Sequence, residues 1–208
     1  MIKAIIFDFG GVIITLDQPQ AIARFEALGL TNAAEQLDAY TQGGIFGELE
    51  CGTISDEDFR SALSRQVGRE VTWEECRHAW TGYCKEVPQR NLDELLRLRS
   101  QGYRLLLFSN TNPFMMSWAM SNDFDGHGHS VDYYMDYCYM SYKMGVMKPD
   151  ERFFRQVLAN EHLLPEEALF IDDGTRNVEV ASQLGFHTLC PKNGEDWTGM
   201  LEQKLLNT

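Results

Sequence analysis

Four short stretches place polar, chemistry-bearing residues directly after apolar runs. Ile5-Ile6-Phe7-Asp8-Phe9-Gly10-Gly11-Val12 ends its run on Asp8, and Leu107-Phe108-Ser109-Asn110-Thr111-Asn112 follows its run with Ser109 and Asn110. Leu169-Phe170-Ile171-Asp172-Asp173-Gly174 sets two adjacent acids after a later run, and Lys148-Pro149 lies where a helix is about to begin. Brought to one rim, these residue types make a phosphoryl-transfer set. Three converging carboxylates repel one another unless a cation neutralises them, and an all-oxygen donor set suits Mg²⁺. One carboxylate can then act as a nucleophile and form an acyl phosphate. A lysine and a serine hydroxyl can hold the transferring phosphoryl oxygens, where the charge is concentrated. Gly10 and Gly11 let the backbone come close enough for a carbonyl to reach the metal.

The elements that must position these residues are legible as short β-rich runs at residues 4–7, 103–108, 137–140, 168–171 and 187–190, separated by helical pattern. Near-continuous apolar strands alternating with helices predict a parallel sheet covered on both faces. Ligands of such a sheet bind outside the carboxyl ends of its strands, where the polar residues above fall. Residues 91–99 carry apolar side chains at helical spacing before Gly102 ends the helix, residues 150–160 put Phe153, Phe154, Val157 and Leu158 on one stripe, and residues 177–184 do so less clearly before Gly185. The first two strands are separated by roughly ninety residues, too many for a simple crossover. Residues 16–90 lack strong strands and read as a helical insertion over the carboxyl edge of the sheet. One of its helices starts at Ser55-Asp56-Glu57-Asp58, a capping box with acids in the first turn. The expected fold is therefore α/β, a Rossmann-like three-layer parallel sheet core (1–15 and 91–208) with an inserted α-helical cap (16–90).

Composition narrows the function classes. The 208 residues carry 18 Lys+Arg against 31 Asp+Glu, a net charge of −13, which argues against nucleic acid or an anionic membrane surface as the main partner. The five cysteines, Cys51, Cys76, Cys84, Cys138 and Cys190, are scattered without a CxxC pair, so neither a disulfide framework nor a structural zinc site is expected. The first apolar run is too short for a signal segment and nothing approaches the length of a membrane span, so the cytoplasm is the expected compartment.

The four stretches, in this order and on these elements, resemble the four motifs of the haloacid dehalogenase superfamily, and the resemblance covers essentially the whole chain. Residues 51–59, 108–112 and 145–150 further resemble the subgroup that contains bacterial α-D-glucose-1-phosphate phosphatase. The resemblance implies a Mg²⁺-dependent phosphatase of a small phosphorylated metabolite, such as a hexose 1-phosphate, working through an aspartyl-phosphate. It makes Asp8 the nucleophile and a metal ligand, with the Gly10 carbonyl and Asp173 as further ligands and Asp172 as a ligand or outer-shell partner. It gives Ser109, Asn110 and Lys148 to the phosphoryl group, has Lys148 steady Asp8, and lets Asn177 orient the metal site.

Position 10 departs from the family pattern, in which most phosphatases carry a second aspartate two residues after the nucleophile as general acid and base. Glycine has no proton to give, and such proton transfer is typically worth about 10²–10⁴-fold. The absence costs least when the leaving group is already good, as with a sugar 1-phosphate or an acyl phosphate. Asp17, Glu48 and Glu50 are the candidate carboxylates to reach in instead from the flap or cap. The rival readings are a 2-haloacid dehalogenase, a phosphotransferase or mutase, and a sugar-phosphate-binding protein without turnover. Of the other candidates, His127 and His129 read as a polar loop rather than a metal tract, and Trp73, Trp80 and Tyr83 as the small core of the cap, with a place lining the substrate pocket as the alternative for one of them.

Overall fold

The computed structural model describes residues 1–37 and 43–207. Its centre is a parallel sheet of β1 (Ala4–Phe7), β4 (Arg104–Ser109), β5 (Tyr137–Met140), β6 (Ala168–Ile171) and β7 (His187–Leu189), in the order β5-β4-β1-β6-β7. A short antiparallel ribbon pairs β2 (Thr15–Leu16) with β3 (Cys84–Glu86). The helices are α1 (Gln18–Ala27), α2 (Ala33–Gln36), α3 (Gly44–Cys51), α4 (Asp56–Val67), α5 (Trp73–Trp80), α6 (Gln89–Ser100), α7 (Pro113–Ala119), α8 (Ser141–Met144), α9 (Glu151–Glu161), α10 (Thr175–Gln183) and α11 (Thr198–Leu206).

The alternation of side chains along each strand divides the interior in two. Ile5, Phe7, Leu105, Leu107, Leu169 and Ile171 face one layer, packed with Leu92, Leu95 and Leu98 of α6, Met115 of α7 and Leu201 of α11. Ala4, Ile6, Leu106, Phe108 and Phe170 face the other, with Phe153, Phe154 and Val157 of α9 and Ala181 of α10. Burial on both faces is why these strands read as unbroken apolar runs. The registers Ile5↔Leu105 and Ile5↔Leu169 bring the ends of β1, β4 and β6 level. The chain passes from β1 to β4 and β5 on one side and returns to β6 on the other. The carboxyl end of β1 is therefore the point where the strand order reverses, the usual crevice of an open α/β sheet.

Helices α1–α5 pack around a separate cluster that includes Phe25, Phe46, Phe59, Leu63 and Trp80, joined by Phe114 from α7. Edge-on contacts of Phe46 with Phe25 and Phe59, at centroid distances of 5.1 Å in both pairs, dominate it. The expected capping box on α4 is present: Ser55 Oγ accepts from the Asp58 N–H, and Asp58 accepts from the Ser55 N–H. The ribbon of β2 and β3, which lies at the two ends of the helical stretch 16–90, is not visible in the sequence pattern. No helix of the described residues is long and apolar enough to cross a membrane, and the five cysteines are unpaired.

Candidate active site

Asp8 continues the β1 ladder, its N–H donating to Ile171 O at 2.8 Å, so its side chain emerges where β1, β4 and β6 end together. The loop that follows is fixed from behind: Trp197 Nε1 and Asn91 Nδ2 both donate to Val12 O, at 2.8 and 2.9 Å. Asp8 Oδ1 takes the Phe9 N–H at 2.7 Å and Lys148 Nζ at 2.9 Å, while Oδ2 accepts no hydrogen bond among the described residues. One oxygen is anchored and the other is left to act.

Lys148, 4% exposed, uses its three N–H groups on Asp8 Oδ1, on Asp172 Oδ2 at 2.6 Å and on Phe108 O at 2.8 Å. Its loop is held by Asn110, whose Oδ1 accepts from the Lys148 N–H and whose Nδ2 donates to Lys148 O, both at 2.8 Å. The Lys148–Pro149 bond within that loop is cis. The neighbouring Ser109 is buried and donates to Asn110 O at 3.2 Å.

Asp172 is fully buried and fully engaged: besides Lys148, it accepts from the Gly174 N–H at 2.7 Å and from Asn177 Nδ2 at 3.1 Å. Asp173 lies closer to solvent. Asp8, Asp172 and Asp173 each offer an oxygen, and these atoms all lie within 4.8 Å of one another. Three carboxylates around one lysine leave excess negative charge. Burial, and then the charges of Asp172 and Asp173, push the Asp8 carboxyl up to about 7 against the opposing pull of Lys148. Burial and Asp172 push Asp173 up to about 6. An oxygen-only cluster that is electrostatically unsatisfied without a cation fits a hard divalent ion such as Mg²⁺. Gly11 is required there: its φ is +77°, and a Cβ would sit 2.1 Å from Asp173 Oδ2.

A cavity of about 720 Å³ opens over these groups, lined by Asp8, Gly10, Ser109, Asn110, Lys148, Asp172 and Asp173 and, from the helical side, by Glu50, Trp80 and Tyr83. All seven sequence-predicted site residues thus meet. Of the three carboxylates considered as substitutes at position 10, Glu50 lines the cavity, whereas Asp17 caps α1 by accepting from the Gln20 N–H and Glu48 is exposed. The space above Gly10 is filled by Leu16, whose methyl carbons would lie 3.1 Å from a Cβ at that position. His127 and His129 belong to a turn organised by Asp125, which accepts both backbone N–H groups and contacts His129 Nδ1 at 2.7 Å.

Several supporting residues escaped the sequence reading. Asn112 caps α7 by accepting from the Met115 N–H, and Nδ2 lies 3.5 Å from Glu50 Oε1; the Asn112-Pro113 pair is a helix-start signal that could have found it. Ser141 Oγ accepts from the Thr111 N–H and donates to Thr111 O, fixing the loop after Ser109. Asn193 grips Leu16, accepting from its N–H at 2.8 Å and donating to its carbonyl at 3.1 Å. No local pattern announces either of the last two.

Residues 2–185 match the family model of the haloacid dehalogenase-like hydrolases. The chain is 47% identical over 197 residues to a D-ribitol-5-phosphate phosphatase of Bacteroides thetaiotaomicron, covering 95% of each. A solved HAD-like hydrolase from Porphyromonas gingivalis superposes with a TM-score of 0.94 at 43% identity, covering 100% of this chain and 99% of that one. A family enzyme of B. thetaiotaomicron, solved with magnesium and inorganic phosphate, superposes with a TM-score of 0.87 at 34% identity over 96% of this chain and 99% of its own.

Proposed function

The chain belongs to the haloacid dehalogenase-like hydrolases, and from that membership we propose a magnesium-dependent phosphatase of small polyhydroxylated phosphate monoesters, with Asp8 as nucleophile. Its class, a phosphoric monoester hydrolase acting on a phosphorylated metabolite, rests on its similarity to the D-ribitol-5-phosphate phosphatase. The observation that carries the mechanism is the asymmetric anchoring of Asp8, with Oδ1 held by Lys148 and the Phe9 N–H and Oδ2 without a donor among the described residues.

Asp8 Oδ2 attacks phosphorus in line with the ester oxygen. The P–O bond to the leaving group breaks, its electron pair departs with the substrate oxygen, and that oxygen takes up a proton. Water then attacks the phosphorus of the aspartyl-phosphate, the P–O bond to Asp8 breaks, and inorganic phosphate leaves with the carboxylate restored. Ser109, by turning its hydroxyl proton away from Asn110 O, and Asn110, through the Nδ2 hydrogen not given to Lys148 O, supply donors to the phosphoryl oxygens. Lys148 keeps the attacking carboxylate oriented and offsets the charge of the three acids. Asp8, the Gly10 carbonyl and Asp173 would hold Mg²⁺, with Asp172 and Asn177 aligning the set from behind; the ion supplies positive charge to the transferring phosphoryl group. Residues 16–90 act in this reading as a cap that closes over the cavity to exclude water.

Two substrate classes have separate support. Gly10, with no proton to give, favours the good leaving group of a hexose 1-phosphate, in line with the resemblance to glucose-1-phosphate phosphatases. The relative's substrate is instead a pentitol phosphate with an ordinary alkoxide leaving group. Phosphate release from D-ribitol 5-phosphate, glucose 1-phosphate and glycerol phosphate, with Mg²⁺ or with EDTA and beside Asp8→Asn, ranks them. Metal-dependent release lost in Asp8→Asn is the expected result, and release that survives both EDTA and the substitution would overturn the reading. The acidic pair beside Asp8 disfavours a dehalogenase, whose attack on carbon needs no cation. A sugar acceptor that competes with water would mark a phosphotransferase. Tight binding without release would mark a sensor.

A further inference from the structure

The cavity carries a second polar patch that the chemistry at Asp8 leaves unused. Trp80 ends α5, Tyr83 follows in the next turn, and their rings stack at 5.9 Å between centroids with 25° between planes. Gly82 sets this turn against α1, where a Cβ would lie 2.9 Å from the Ala21 Cα. Trp80 Nε1 and the Tyr83 hydroxyl are both buried and have no hydrogen-bond partner among the described residues, yet both side chains line the cavity that Asp8 lines. Buried donors in folded proteins are nearly always paired, and leaving one unmade destabilises the fold. Two unpaired donors on stacked side chains that line a ligand cavity are groups that acceptors arriving with a ligand can satisfy, once the wall yields enough to admit them.

Glu50 of α3 lines the same cavity, and its charge, added to burial, pushes the Tyr83 phenol up. Its contact with Asn112 ties it to the loop that carries Ser109 and Asn110. A carboxylate that only accepts, set near two groups that can donate, complements hydroxyl groups, each of which donates one hydrogen bond and accepts others. We propose that Glu50, Tyr83 and Trp80 form a subsite that holds the hydroxyls of a polyol tail, and that these residues determine substrate specificity. The subsite rests on the phosphatase reading only for the placing of the phosphate end.

Binding to the Asp8→Asn chain, which cannot form the acyl phosphate, tests the subsite without turnover. D-Ribitol 5-phosphate and n-pentyl phosphate, equal in carbon number but with and without hydroxyls, are titrated by calorimetry in the presence of Mg²⁺. The polyol ester should bind at least about a hundredfold tighter, the combined worth of one charged and one neutral hydrogen bond. That ratio should fall roughly 10- to 100-fold on adding Glu50→Gln and roughly 3- to 10-fold on adding Tyr83→Phe, the loss of one charged and one neutral hydrogen bond. Tyr83→Phe should also leave the melting temperature unchanged or raised, because the hydroxyl it removes has no partner among the described residues. Equal affinity for the two esters, ratios unmoved by the substitutions, or a clear loss of stability in Tyr83→Phe would overturn the proposal. Phosphate release by the unsubstituted chain is measured separately, so failure of the subsite and failure of the phosphatase reading give different results.

Discussion

Replacing Lys148 with methionine keeps most of the aliphatic stem and removes the ammonium, which lies 5.2 and 5.5 Å from the Phe108 and Phe170 ring centroids, from beside the buried-rim acids. Two carboxylate oxygens within 4.8 Å of each other repel by about 3.5 kcal/mol or more at an effective dielectric constant near 20. Removing one partner from a buried ion pair typically costs about 3–5 kcal/mol. In a chain of this size each kcal/mol lowers the melting temperature by roughly 2–4 °C, so Lys148→Met should melt roughly 6–20 °C lower in EDTA at pH 8. The sign of the pH dependence follows from the raised acids. Asp8 at about 7 and Asp173 at about 6 lie above their unfolded values, so the stability linked to them is present at low pH and is lost as pH rises through 6 to 7. Without Lys148 both groups rise further and the loss extends upward, so the deficit should shrink at pH 5.5 and Mg²⁺ should restore more stability to the variant than to the parent. Scanning calorimetry at the two pH values, with Mg²⁺ and with EDTA, reads all four cases. Equal melting temperatures at pH 8 in EDTA, or a deficit just as large at pH 5.5, would refute the electrostatic reasoning.

Asp8→Asn should abolish phosphate release while keeping the fold, checked by turnover beside circular dichroism; residual metal-dependent turnover would dismiss Asp8 as nucleophile. Mg²⁺ binding should tighten between pH 5.5 and 8, by up to about tenfold per pH unit for each proton displaced from Asp8 or Asp173, and calorimetry in buffers of different ionisation enthalpy counts those protons. Gly11→Ala should displace Asp173, given the 2.1 Å approach and the positive φ, so the Mg²⁺-induced rise in melting temperature should shrink. Gly10→Asp should fail to improve turnover of D-ribitol 5-phosphate, because Leu16 fills the space its side chain needs; combining it with Leu16→Ala opens that space, and the pair of rates tells packing from chemistry.

The sheet was legible because its strands are buried on both faces, and β1, β5 and β6 fall at the residues expected. The second strand begins at Arg104 rather than Tyr103, since Gly102, at φ +90°, still belongs to the turn after α6. Strands β2 and β3 were invisible for a physical reason: two and three residues are too few to show a period, and their pairing joins Leu16 to the distant Cys84. The acids, the lysine and Ser109 announced themselves because each follows an apolar run directly. Trp80 and Tyr83 read as core, and Trp80 does pack in the aromatic cluster of α1–α5. That the indole N–H and the phenol lack partners among the described residues is a property of the packed fold, which helical spacing cannot carry. The same holds for Ser141 and Asn193, polar residues whose partners lie 30 and 177 positions away.

Gly10 is where packing and chemistry bear on one another. In the proposed reading its carbonyl would face the cation, while a Cβ at this position would meet the Leu16 methyls at 3.1 Å, an apolar wall whose backbone Asn193 holds by both the N–H and the carbonyl of that leucine. The ester oxygen therefore meets no acid from the loop after Asp8, and the about 10²–10⁴-fold that such an acid contributes has to be replaced or forgone. A sugar 1-phosphate forgoes it, since its anomeric oxygen leaves with less help. A pentitol phosphate needs the proton from water or from a carboxylate across the cavity. Glu50 lines the same cavity, but a carboxylate whose oxygens accept hydrogen bonds from substrate hydroxyls is a poor proton donor. The steepness with which turnover depends on leaving-group acidity thus separates the two substrate classes. A steep dependence assigns the site to anomeric phosphates, while a shallow one requires a proton donor that Glu50 can supply only if it does not bind the polyol tail.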